Sequence, residues 1–548
     1  MTAADAIVVG RIATLAGDEG LGFVEALAIS GGRVAAAGRL VGIDALAGPG
    51  TRRLELAPDE VAIPGLTDSH LHFAEMATGD DHVDLGATPT LAEALDRVAE
   101  AHGSLPPDAW LEGHGWESDR WGGWPTAADL ARVAPGRPAA IWAHDHHSLW
   151  TSEAGLEAAG IDASTPDPPG GVIRRDDEGR PTGVLHEAAA GLVRSRVPAA
   201  SADDIERAIP RLAARVLALG IVAVHDPGLL SPQAGLGPAY EAYRRLADAA
   251  GLAIRVHASV RADQLDAAIE AGLRSGDPLG DPEGRARVGW LKLFADGTLG
   301  SRTAAVLEAI EPEPGRPLPA GTQRGVFTTE PAALAVLADR AATGGIATQI
   351  HAIGDHAVRV ALDALEPTVG RSRLVPRLEH IQLIHPDDVA RFGAAGIAAS
   401  VQPVHLRSDA AAARRLWGSR AEQFGYAWAT LARSGALLAF GTDAPIEPID
   451  PWPGLAIAVT RADPSWPAGT PPFGPAEALT LDQGLRAATI GPAVVAGESD
   501  RGRLTPGQRA DIAVIPAAAL REPVEPGGAL ATARPRLVLV DGAVAFEA

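Results

Sequence analysis

Eight short apolar runs, most closing on a polar or ionisable residue, alternate with Ala/Leu-rich stretches along this chain. They are Val61–His70, Val222–Asp226, Ile254–Val260, Val288–Asp296, Ile346–His351, Leu378–Ile381, Ile397–Gln402 and Leu437–Asp443. Alternation of this kind builds parallel βα units, because each strand needs a helix to carry the chain back across the sheet. Eight such units predict an α/β fold, a closed (β/α)8 TIM-type barrel over 61–484, with its active site at the C-terminal ends of the strands. About 150 residues separate the first two runs, far more than a crossover helix needs, so an inserted cap segment is expected at about 80–215. Residues 1–60 and 485–548 read instead as short strands with glycine turns, such as Ala6–Val9, Val34–Ala37, Asp511–Ile515 and Arg536–Val540 before the Asp541-Gly542 turn. The two ends are expected to pair as one small β-sandwich.

Composition narrows the chemistry. The chain holds no cysteine, which excludes disulfides, thiolate metal sites and cysteine nucleophiles and leaves histidine and oxygen as metal donors. A net charge of −22 repels phosphate backbones and anionic bilayers, so neither nucleic acid nor a membrane is expected as a partner. The opening MTAADAIVVG lacks the basic and apolar regions of a secretory signal, and a cytoplasmic protein is the default expectation. Of 47 basic residues only Lys292 is a lysine. Where arginine has replaced lysine everywhere else, the exception is a candidate for a task arginine cannot do.

The strand ends carry the candidate site. The first run closes on His70-Leu71-His72, a spacing that puts both imidazoles on one face of a strand. Lys292 falls in the fourth run, His351 ends the fifth, His380 lies in the sixth, and Asp443 ends the eighth. An HxH pair alone fits a hydrogen-bonded core pair equally well. Four histidines, a lysine and an aspartate at the mouth of one barrel point instead to a metal site, suited to zinc and also to iron or manganese. A buried lysine can become neutral and add carbon dioxide to form a carbamate, whereas an arginine stays protonated.

These residues sit in stretches that resemble the amidohydrolase superfamily. Ile63-Pro64-Gly65-Leu66-Thr67-Asp68-Ser69-His70-Leu71-His72 is similar to its first-strand motif. Lys292-Leu293-Phe294-Ala295-Asp296-Gly297, His351-Ala352-Ile353-Gly354-Asp355, Arg377-Leu378-Glu379-His380 and Gly441-Thr442-Asp443-Ala444-Pro445 resemble its amidohydrolase-3 branch, which includes YtcJ-like proteins and N-substituted formamide deformylases. Gly502-Arg503-Leu504-Thr505-Pro506-Gly507 is similar to the closing motif of the superfamily.

The resemblance implies a hydrolase acting on carbon–nitrogen bonds other than peptide bonds. Its implied cofactor is a pair of zinc ions, with a single ion, iron or manganese as variants. His70 and His72 would hold one ion, His351 and His380 the other, and carboxylated Lys292 would bridge them. Attack by metal-bound hydroxide is implied, with Asp443 as ligand and proton carrier. The expected partner is a small amide-type molecule, an N-substituted formamide or another N-acyl amine. A cyclic amide or imide hydrolase and an N-acyl amino acid deacylase are the alternatives within the class, and a non-catalytic scaffold is the alternative outside it. A homodimer is common among such relatives, and no residue of this chain argues for or against one. For substrate contacts the candidates are His147 and Trp150 in the insertion, and Asp296, Ser301 and Arg302 after the fourth run. Asp355 is expected to cap a helix, and His114, His146 and His225 to be ordinary polar loop residues.

Overall fold

The computed structural model describes residues 3–79, 82–106, 109–143, 148–168, 171–187, 189–229, 235–300, 302–311 and 323–548. It divides into two compact units, residues 78–201 and the remainder.

The larger unit is built on eight parallel strands: β1 (Leu66–Asp68), β2 (Ile221–Asp226), β3 (Arg255–Arg261), β4 (Ala286–Phe294), β5 (Thr348–Ala352), β6 (Arg377–His380), β7 (Ala398–Val401) and β8 (Leu438–Phe440). They hydrogen-bond in sequence order, each to its neighbour. Nearly every strand residue is buried, which is why these segments read as continuous apolar runs rather than as alternating ones. β8 returns to β1 where the Ser69 N–H donates to the Phe440 carbonyl at 2.8 Å and the Asp443 N–H donates to the His70 carbonyl at 2.7 Å. Helices feed the strands. Ala202–Ala218 buries Ile205, Ile209, Leu212 and Val216 at helical spacing before it delivers β2. This helix belongs to the barrel unit, so the separate unit closes at Ser201 rather than near 215.

The first apolar run serves two sheets. Glu60–Pro64 pairs with Ile512–Pro516, with Ile63 opposite Ala513, and Gly65 then redirects the chain into β1. A side chain at Gly65 would meet Val222 at 2.7 Å. The terminal strands form one continuous eight-stranded sheet in the order 543–547, 537–540, 512–516, 60–64, 6–13, 23–30 and 33–38, with 52–55 also on 6–13. Alternate residues divide between its faces: Ala6, Val8, Leu27, Ile29, Ile512 and Leu539 share one buried cluster, and Ile7, Ala26 and Ala28 another, with Ile43 of the helix Leu40–Asp44.

Residues 78–201 carry their own six-stranded sheet, ordered 171–175, 181–187, 148–151, 139–143, 111–116 and 83–84. Its core is aromatic: Trp116 stacks on Trp121 at 6.3 Å, and Trp121 meets Trp150 edge-on at 6.0 Å. Among the described residues of the chain, no helix is long and apolar enough to cross a membrane.

Candidate metal centre

β1 ends at Asp68, and the HxH pair lies just beyond it rather than within a strand. Backbone hydrogen bonds still hold the pair in place. Leu71 N–H donates to the His225 carbonyl at 3.1 Å and His72 N–H to the Ala444 carbonyl at 3.0 Å. The buried Asp68 carboxylate joins the two ends of the barrel, accepting from His70 N–H at 3.1 Å and from the Thr442 hydroxyl at 2.7 Å. Gly441 leaves no room for a side chain, since a Cβ there would lie 2.5 Å from the His70 nitrogen.

Each imidazole of the pair has one nitrogen occupied and one presented inward. His70 Nδ1 lies 2.8 Å from Glu379 Oε2, while its Nε2 is 3.3 Å from Asp443 Oδ1 and 3.5 Å from Lys292 Nζ. His72 Nδ1 is 3.0 Å from the Gly228 carbonyl, and its Nε2 is 3.6 Å from Asp443 Oδ1. A carbonyl or carboxylate on the outer nitrogen, with the inner one free, is the usual dressing of metal-binding histidines.

Lys292 sits two residues inside the end of β4, opposite Gln349 of β5 and 1% exposed. Burial lowers its ammonium to about 8, against the pull of Glu379 and Asp443. The His351 ring is 4.5 Å from that of His380, and its Nε2 lies 3.1 Å from the Gly297 carbonyl. Burial pushes His351 and His72 down to about 3, so both rings are neutral and able to donate a lone pair. His380 Nδ1 is buried with no hydrogen-bond partner. His380 and Asp443 both hold left-handed backbone, at φ 73° and 62°, an uncommon conformation that clusters at functional sites. Burial would raise the Asp443 carboxyl, but His70 and His405 hold it well below the usual range.

All six expected ligands therefore meet in one buried cluster. Among the described residues, two groups have donor atoms within 4.8 Å of one another: His70, His72 and Asp443, and His380, His405 and Asp443. Imidazole nitrogens with carboxylate oxygen suit zinc, iron or manganese, and the orphaned His380 nitrogen is the kind of buried donor a cation would satisfy.

The second tier falls differently. The Asp296 carboxylate is held by backbone donors. Oδ1 accepts from Ile353 N–H at 3.0 Å, and Oδ2 accepts from Ala305 and Gly354 N–H at 2.8 and 2.9 Å, which clamps the end of β4 to that of β5. Trp150 is fully buried in the core of residues 78–201, its indole N–H donating to the Thr126 carbonyl at 2.9 Å. Arg302 is half-buried at φ 61° in the loop after β4. His147, His146 and Ser301 lie outside the described residues. Gly354, not Asp355, is the helix cap, and Asp355 accepts from Leu307 N–H at 2.8 Å. His225 is no loop residue: it is buried in β2, with Nδ1 2.9 Å from Arg377.

Two residues were not foreseen. His405, beginning the helix His405–Trp417 after β7, places Nε2 3.1 Å from Asp443 Oδ2. Glu379, one residue before a foreseen ligand, holds His70 from behind and is itself held by Arg377 Nε at 2.7 Å. The sequence carried a signal for Glu379, because residues that flank a ligand on a buried strand face neighbouring side chains. His405 follows a strand end by a turn, where strand periodicity says nothing.

An eight-stranded parallel barrel with histidine and carboxylate donors at its C-terminal mouth has the architecture of a metal-dependent hydrolase. The chain belongs to the amidohydrolase family, whose sequence profile matches residues 57–546. YtcJ of Bacillus subtilis (strain 168) is 31% identical over 458 residues, covering 83% of this chain and 84% of that protein. The N-substituted formamide deformylase of Arthrobacter pascens is 30% identical over 540 residues, 95% of each chain. Among solved structures, an uncharacterized metal-dependent hydrolase from Pyrococcus horikoshii OT3 superposes with a TM-score of 0.77 at 28% identity, covering 95% of this chain and 98% of that one.

Proposed function

We propose that this chain hydrolyses the C–N bond of a small amide, an N-substituted formamide or another N-acyl amine, with two zinc ions that His70, His72, His351, His380, Asp443 and a carboxylated Lys292 would hold. The observation that carries the reading is the position of Asp443. Its Oδ1 faces both HxH imidazoles and its Oδ2 faces His405, so one carboxylate borders both candidate ion positions. Bound zinc would supply a Lewis acid and bring the pKa of water from about 16 toward 7. His70, His72, His351 and His380 offer the nitrogens that hold it. Lys292 as the neutral amine forms an N–C bond to carbon dioxide and releases one proton, giving a carbamate with two oxygen donors. Asp443 accepts the proton of the attacking water and delivers it to the leaving nitrogen. Water oxygen bonds to the acyl carbon, the C–N bond breaks, and the amine leaves with the acid as co-product. The deformylase relative favours formamides within this class, with formate as the acid released.

Product release from N-substituted formamides, N-acetyl amines, N-acyl amino acids and cyclic imides tests the reading, with zinc-loaded protein beside a chelator-stripped control. Formate and amine should appear in equal amounts from the formamides and cease on chelation. Turnover of another panel class alone moves the substrate, and turnover that survives complete zinc removal overturns the metal mechanism. Lys292→Arg should lose zinc and activity together. Full zinc and full activity in that variant would eliminate the carbamate.

A further inference from the structure

The seventh barrel strand carries no foreseen ligand, yet the turn after it brings an imidazole to the cluster. We infer that His405 is a ligand of the second metal ion, beside His380 and Asp443, an inference that rests on the two-ion reading above.

Four observations support it. His405 Nε2 lies 3.1 Å from Asp443 Oδ2, on the side of that carboxylate away from His70 and His72. Its ring is 5.7 Å from that of His380, and one donor atom from each of His380, His405 and Asp443 falls within 4.8 Å of the others. His380 Nδ1 is buried with no partner, an orphan that a cation would satisfy. The other nitrogen of His405 faces a carboxylate: Nδ1 lies 3.7 Å from Glu447 Oε1, an ion-pair distance outside hydrogen-bond reach, and that oxygen accepts from the Ser408 hydroxyl at 2.7 Å. Glu447 thus stands behind His405 on the side where Glu379 stands behind His70, at 3.7 Å rather than 2.8 Å.

The rival role for His405 is that of a hydrogen-bond partner that merely steadies Asp443. Metal counting separates the two. Zinc content and stepwise affinity would be measured for the wild-type chain, His405→Ala and Glu447→Gln, by elemental analysis and by competition with a chromophoric chelator. Wild type should hold two ions. His405→Ala should keep the first at unchanged affinity and bind the second at least tenfold more weakly. Glu447→Gln, which keeps the imidazole, should weaken only the second ion, by roughly tenfold. Two ions at wild-type affinities in His405→Ala would overturn the assignment and leave the two-ion reading intact. A wild-type chain that binds only one ion would overturn both. If His405→Ala fails to fold, proton spectra of the cobalt-loaded wild type decide the matter: the His405 ring protons should be strongly shifted, and diamagnetic positions for them would overturn the inference.

Discussion

Glu379 is fully buried between a cation and an imidazole, with Arg377 Nε 2.7 Å from one oxygen and His70 Nδ1 2.8 Å from the other. Taking a carboxylate out of water costs several kcal/mol unless charge and hydrogen bonds replace the solvent. Burial would raise this carboxyl, but Arg377 and His70 hold it down to about 2, so it is ionised at any working pH. Two consequences follow from that one position. Glu379→Gln strands the Arg377 charge, which sits 3.9 Å above the Trp290 ring, and should cost about 3 kcal/mol of stability. It also removes the charge behind His70, so zinc affinity should fall about tenfold to a hundredfold. Thermal melting of the metal-free protein reads the first effect, and chelator competition reads the second. A variant that melts early but binds zinc normally would show Glu379 to be a core ion pair with no hold on the metal. Lys292 belongs to the same scale, and it was legible because the rest of the chain has no lysine. His405 was not, since nothing local distinguishes it from a helix-start histidine on the surface.

The pairing of β1 with β8 is where the elements make the site. Gly441 follows β8 and packs against His70, where an added Cβ would stand 2.5 Å from its nitrogen and 2.7 Å from its Cβ. Neither neighbour is a flexible tip, so the segment carrying the HxH pair would have to shift. Gly441→Ala should therefore cost about 2 kcal/mol and lose zinc in parallel, because crowding a packed seam forces backbone movement. Melting temperature and zinc content of the purified variant test this. A normal melt with full zinc would show that the seam yields without moving His70. Each of the eight runs corresponds to a barrel strand, because a strand buried on both faces leaves an unbroken apolar signature. Boundaries were less legible. The run from Val61 reads as one segment although two different sheets bury its two halves, and only Gly65 marks the change. The clamp at Asp296 and the core position of Trp150 were not legible, because a polar or aromatic residue near a site looks the same in sequence whether it faces a ligand or completes a hydrogen-bond clamp or a core.

At the scale of the whole molecule, buried charge ties the terminal sheet to the barrel. Arg255 at the start of β3 lies 2.8 Å from Asp511, which precedes the strand Ile512–Pro516, and Arg501 reaches Asp511 at 3.7 Å and Glu498 at 2.8 Å. Burial would raise the Glu498 carboxyl, but Arg501, His257 and Arg255 hold it down to about 2, from an ordinary 4.5. Between those values the unfolded chain binds a proton that the folded chain refuses, so stability rises with pH across the interval. The contribution is complete above about 4.5 and is lost as the pH falls toward 2, and a shift of this size is worth up to about 3 kcal/mol. Many surface carboxylates also titrate there on a chain of net charge −22, so the wild-type curve alone would not isolate this one. Glu498→Gln does. The variant should be less stable at pH 7, and the gap should close as both proteins approach pH 2, because protonation takes from the wild type what the substitution has already removed. Urea unfolding of the pair at pH 7, 4 and 2.5 reads the gap directly. A difference that stays constant across that range would mean Glu498 stabilises the junction by packing rather than by charge.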